Sequence, residues 1–139
     1  MQSTSANKVE GPALQPGGLR PSGGDRGAPR LGAREERSIE ICESMIDVVA
    51  ALFNVSGKEL RKPGRSTLGV SRVRQIAMYV AHVTLQLNMT DIGRGFGRDR
   101  TTVVHACHLV EDLRDDEDFD RMVAVTERVA SAAFSPRMV

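Results

Sequence analysis

Gly97-Arg98-Asp99-Arg100-Thr101-Thr102-Val103-Val104-His105-Ala106-Cys107 reads as a tight turn feeding a short helix with two unlike faces. With the helix begun at Thr101, Val103, Ala106, Cys107, Val110 and Leu113 recur at the three-to-four spacing of a buried stripe. Thr101, Val104, His105 and His108 fall on roughly the opposite side. Threonine brings a hydroxyl and a methyl, valine an apolar surface for a thymine methyl, and histidine and arginine bring donors. These are the side chains that read base edges in a major groove, and a helix needs only its first turns to carry them.

The preceding segment, Met89-Thr90-Asp91-Ile92-Gly93-Arg94-Gly95-Phe96-Gly97, reads as the first helix of a helix-turn-helix over about residues 89–113. Thr90 is expected to cap it, Ile92 and Phe96 to anchor it at i, i+4 spacing, and Gly95 and Gly97 to break it before the turn. Asp99 then occupies the N-cap position of the second helix, its carboxylate near the orphan amides.

Residues Ser71 to Leu113, and more loosely from Ile39, resemble the C-terminal DNA-binding domain (domain IV) of the bacterial replication initiator DnaA. That family carries an Arg-x-Arg-Gln-x-Ala-Met helix start, matched here by Arg72, Arg74, Gln75, Ala77 and Met78. An Ile-Gly helix follows, then a Gly-Arg-Asp-His-Thr-Thr-Val-x-His-Ala signature, of which Arg98, Asp99, Thr101, Thr102, Val103, His105 and Ala106 are kept. The resemblance implies an all-α, Trp-repressor-like domain that binds double-stranded DNA, with DnaA-box-like sites as targets and a role in replication initiation or transcription control. Base reading is assigned to Arg72, Asp99, Thr101, Val104 and His105, with Arg72 in the minor groove as the resemblance implies, and to Arg100 from its own chemistry. Arg61, Lys62, Arg65, Arg74, Gln75, Arg94, Arg98, Thr102 and His108 are assigned to the DNA backbone. Two departures stand out: one glycine, Gly97, precedes the Arg-Asp pair where the family has two, and Arg100 replaces the family's histidine. A bidentate arginine favours guanine or holds a phosphate, so the preferred site is expected to shift.

The 139 residues are 40% hydrophobic, enough for one modest core. Residues 1–34 hold seven glycines and four prolines with almost no periodic apolar residues, the composition of a disordered arm. The folded domain is expected over 35–134, with 135–139 as a tail. The net charge of +1 conceals a segregated distribution. Residues 56–105 hold nine Lys/Arg against three Asp/Glu, whereas residues 106–120 hold seven acids and one arginine. The local excess of basic charge is what phosphates would meet. The acidic run Asp115-Asp116-Glu117-Asp118 reads as a solvated loop that also repels DNA from the far end of the reading helix.

Four further helices are legible. The first runs over about 36–53, with Ile39, Cys42, Met45, Ile46, Val49, Leu52 and Phe53 on one face. A short one opens at Ser56, where Ser56 and Glu59 fit a capping box, and stops at Pro63-Gly64. Arg61-Lys62-Pro63-Gly64-Arg65-Ser66 then resembles the family's basic loop and reads as a phosphate clamp. Ser71 is expected to cap the next helix, which puts Arg72 and Arg74 in a first turn where the dipole disfavours cations unless an anion faces them. The last helix covers about 118–133.

No nucleotide, cofactor or metal is implied. His105, Cys107, His108 and Glu111 cluster in sequence, but Cys107 points away from the histidines on a helix. No G-x-x-x-x-G-K-[ST] loop occurs, so the ATPase that accompanies this domain in DnaA is not expected, nor is any enzymatic turnover. Cys42 and Cys107 lie on apolar stripes and read as buried thiols. With no stretch long enough to span a membrane and no signal-peptide core, a cytoplasmic, nucleoid-associated protein is expected. The rival reading is a protein-interaction module that kept the scaffold and lost DNA binding; such drift would erode the reading face first, yet Arg98, Asp99, Thr101, Thr102 and His105 all remain.

Overall fold

The computed structural model describes residues 31–134. Residues 1–30, most of the stretch read as an arm, and the tail 135–139 lie outside the described residues. Among the described residues six helices follow one another: α1 Ala33–Phe53, α2 Gly57–Arg61, α3 Leu68–Val83, α4 Met89–Phe96, α5 Arg100–Leu113 and α6 Glu117–Phe134. None is long and apolar enough to cross a membrane. α1 begins two residues inside the stretch assigned to the arm, so Ala33 and Arg34 are helical.

α3 is the central element, touching every other helix. Its Ile76, Met78 and Val80 pack with Met45, Ile46 and Val49 of α1, Ile92 of α4, Val103 and Val110 of α5, and Val123 of α6, all fully buried. Each such side chain contributes about 1.5–3 kcal/mol by leaving water, so this shared core fixes how the helix-turn-helix sits on the scaffold. Cys42 and Cys107 belong to the same core and are free thiols. Burial pushes Cys42 to about 12 and Cys107 to about 11, so both stay protonated and unreactive at neutral pH.

The caps and ends of α3 and α4 differ from the sequence reading. Asn88, not Thr90, caps α4, accepting the Asp91 amide at 2.8 Å. Thr67, not Ser71, caps α3, accepting from the Val70 amide at 3.2 Å. Arg72 and Arg74 therefore sit beyond the first turn, where the dipole has faded, and the inference that they need an anion there falls away. Gly95 does not break α4: it is helical, and a Cβ there would lie 2.4 Å from the Cys42 Cβ. It is a point of close approach between α4 and α1. Gly97 alone ends the helix, at φ 68°, with its amide on the Arg94 carbonyl and the Arg98 amide on the Gly93 carbonyl at 2.8 Å. This is a Schellman arrangement, which glycine adopts without a Cβ penalty.

Candidate nucleic-acid interface

Asp99 sets the start of α5. Its backbone is extended, and its carboxylate accepts the Thr102 amide at 2.8 Å. That backbone bond, aided by the Thr102 hydroxyl and the Thr101 amide, holds the carboxyl below its ordinary range. Asp99, expected as a base contact, is exposed and serves as the N-cap through one carboxylate oxygen. Val103, Ala106, Cys107 and Val110 are buried, whereas Arg100, Thr101, Thr102, His105 and His108 are exposed and Val104 is half-buried. The two-faced helix expected from spacing is present, begun one residue earlier. Because Cys107 faces the core and the two histidines face out, the three do not converge as metal ligands.

A cleft of about 300 Å³ runs between α3 and the start of α5, lined in part by Ser71, Gln75, Arg98, Thr101, Thr102 and His105. Arg72 is half-buried and donates to the Gln75 side chain at 3.0 Å, which couples the orientation of two residues that spacing alone leaves independent. The loop after α2 lies exposed through Lys62, Pro63, Gly64 and Arg65. Lys62 is 3.7 Å from Glu59, and Arg61 reaches back to Asp47 of α1 at 3.2 Å, so part of the basic charge is shared with the scaffold. Arg65 and Arg100 make no ion pair among the described residues.

Arg74 corrects the sequence reading most. Assigned to the DNA backbone, it is 7% exposed. Its Nε donates to the Leu60 carbonyl at 2.9 Å, and one terminal nitrogen donates to the Glu59 carbonyl at 3.2 Å and to the Ser66 hydroxyl at 2.8 Å. The guanidinium satisfies carbonyls at the end of α2, and its position at i of the Ala77, Met78, Ala81 stripe was the available signal. Arg98 donates to the Lys62 and Phe96 carbonyls at 2.9 and 3.3 Å, so it too is partly engaged within the protein. Arg94 pairs with Asp91 at 3.0 Å.

Asp91 is a structural centre that the sequence reading missed. It is 1% exposed and is also held by Arg34 at 2.7 Å, which ties α4 to α1. The spacing of Asn88 and Asp91, cap and third helical residue, was the legible cue. Arg114 likewise has no role in that reading. It closes the far end of α5 on Asp120 and Glu127 of α6, at 2.5 and 3.1 Å, and on the Tyr79 hydroxyl at 3.3 Å.

Residues 42–110 match the family model described as the bacterial dnaA protein helix-turn-helix. Among proteins similar to the chain, the chromosomal replication initiator protein DnaA of Nitrobacter hamburgensis is 44% identical over 81 residues, 58% of this chain and 17% of that protein. The DnaA of Agrobacterium fabrum is 42% identical over 84 residues, 60% of this chain and 17% of that protein. The chain thus spans about a sixth of the length of these curated relatives. A solved structure of the replication initiator DnaA bound to AMPPCP and single-stranded DNA superposes with a TM-score of 0.62 at 26% identity, covering 72% of this chain and 30% of that one. The matched span takes in the basic loop, α3, the turn and the exposed start of α5, and in residues 42–110 this chain carries a helix-turn-helix domain of the bacterial DnaA family.

Proposed function

We propose that this domain binds double-stranded DNA sequence-specifically, at DnaA-box-like sites, in the control of replication initiation or of transcription. The observation that carries the reading is the capped start of α5, where Arg100, Thr101, Thr102 and His105 stand exposed beside a cleft whose other wall is α3. The first turns of α5 enter the major groove, where Thr101, Val104 and His105 meet base edges. Arg72 reaches the adjacent minor groove, whose negative potential deepens where A·T-rich sequence narrows it. Lys62, Arg65, Thr102 and His108 meet phosphates. Arg100 replaces the family's histidine at the first helical residue, so the preferred site differs from the usual box at the base pairs facing that residue.

Selection from random duplexes tests this reading. A recovered motif that loses its information in Thr101→Ala and His105→Ala supports it; recovery of no motif by the wild-type chain overturns it. Genome-wide occupancy then separates replication control, with enrichment at the origin, from promoter regulation.

A further inference from the structure

The loop Lys62–Ser66 has no regular structure, yet its position decides whether Lys62 and Arg65 meet the same duplex as α5. Two arginines from other elements hold it. Arg74, from α3, takes the Glu59 and Leu60 carbonyls on one side of the loop and the Ser66 hydroxyl on the other. Arg98, immediately before the Asp99 cap, takes the carbonyl of Lys62 at 2.9 Å across 36 residues of sequence.

Arg98 is itself fixed from behind. Its amide donates to the Gly93 carbonyl at 2.8 Å, and a Cβ on Gly93 would stand 2.6 Å from the Arg98 carbonyl oxygen. The two guanidinium groups lie close enough that, after burial, the charge of Arg98 is the next cause of the lowered Arg74 pKa. Two neighbouring like charges are unfavourable, and here each is offset by backbone carbonyls of the loop and its flanks.

Resting on the DNA-binding reading above, we infer that Arg74 and Arg98 are positioning residues rather than phosphate contacts. They lock the basic loop to the N-cap of α5, so that loop cations and base-reading side chains engage one duplex in register. Arg98 links the two parts directly, and Arg74 holds the loop at both of its ends.

A double-mutant cycle on the full chain tests this, with affinity for the selected duplex measured by fluorescence anisotropy across a salt series. Each lost phosphate contact lowers the slope of log affinity against log salt by about 0.9. Arg98→Ala is expected to lower the slope by about two contacts' worth, because Lys62 and Arg65 leave register together. In a Lys62→Ala/Arg65→Ala background it should change the slope no further, so that the two perturbations are strongly non-additive. A loss of one contact's worth in both backgrounds would make Arg98 a direct phosphate ligand and overturn the inference. An unchanged slope and affinity with only a lower Tm would overturn it as well, leaving a purely structural role.

Arg74→Ala strands buried carbonyls and threatens folding, so Arg74→Lys serves there: it keeps the charge but loses the planar fork. Loss of the loop's contribution to the slope supports positioning, whereas wild-type behaviour overturns it for Arg74. A wild-type chain that binds no duplex overturns the DNA-binding reading itself, an outcome distinct from an additive cycle in a chain that binds.

Discussion

The two ends of α5 lie about 20 Å apart at 1.5 Å per residue, and they use charge in opposite ways. At the start, Asp99 closes the helix with its own carboxylate and leaves Arg100, Thr101 and His105 facing outward. At the end, Arg114 is enclosed by Asp120, Glu127 and Tyr79, whose hydroxyl donates to Glu111 at 2.6 Å. An arginine enclosed by carboxylates, as Arg114 is, has little left to offer DNA, whereas Arg100 makes no ion pair among the described residues. Counting basic residues along the chain treats Arg74, Arg98, Arg100 and Arg114 alike, while their partners separate them.

Breaking the closed end gives the largest expected effect. Arg114→Ala removes charge-assisted bonds from two carboxylates and a phenol, and should lower stability by about 2 kcal/mol in urea unfolding. Because it lies far from the first turns of α5, the selected DNA motif should be unchanged. A changed motif with unchanged stability would reverse the roles given to the two ends.

Crowding the α1–α4 contact comes next. Gly95→Ala forces its methyl against Cys42 and should cost about 1–2 kcal/mol. Cys42→Gly in the same chain relieves that clash, so the cost of this second substitution should be smaller in the Gly95→Ala background than in the wild type. Additive losses in thermal unfolding would show that α4 moves freely on α1.

Removing an unpartnered loop charge is milder. Arg65→Ala should weaken binding to specific and random duplex alike and lower the salt slope by about one contact, as read by anisotropy. The smallest effect is expected at the open end's cap. Hydrogen bonds from Thr102 hold the Asp99 carboxyl below its ordinary 3.8. The stability this provides is present above about pH 4 and is lost as pH falls through the lowered value. Asp99→Asn keeps a capping oxygen that does not titrate, so urea midpoints of the two proteins should converge as the solution is acidified. Parallel curves would show that the cap's charge contributes nothing to stability.

Much of the fold and of the candidate site is legible in local spacing. The stripe Val103, Ala106, Cys107 and Val110, the Asp99 cap and the Ser56–Glu59 start of α2 follow from it, and the same local spacing governs them in the fold. What escapes depends on partners distant in sequence. Arg74 bonds to carbonyls 14 and 15 residues back, and Arg34 meets Asp91 across 57 residues. Gly95 reads as a helix breaker because only the packing of α1 shows why a Cβ is unwelcome there. The cap of α3 is easily misplaced because both Thr67 and Ser71 precede apolar periodic residues, and the earlier cap adds a turn.

The proposed function rests on base reading at the exposed start of α5. The most direct measurement compares Thr101→Ala and His105→Ala with the wild-type chain on the selected duplex and on random duplex at one fixed salt concentration. Each substitution should cost about 1–3 kcal/mol on the selected site and distinctly less on random DNA. Equal losses on both duplexes would contradict base reading and confine α5 to the phosphate backbone.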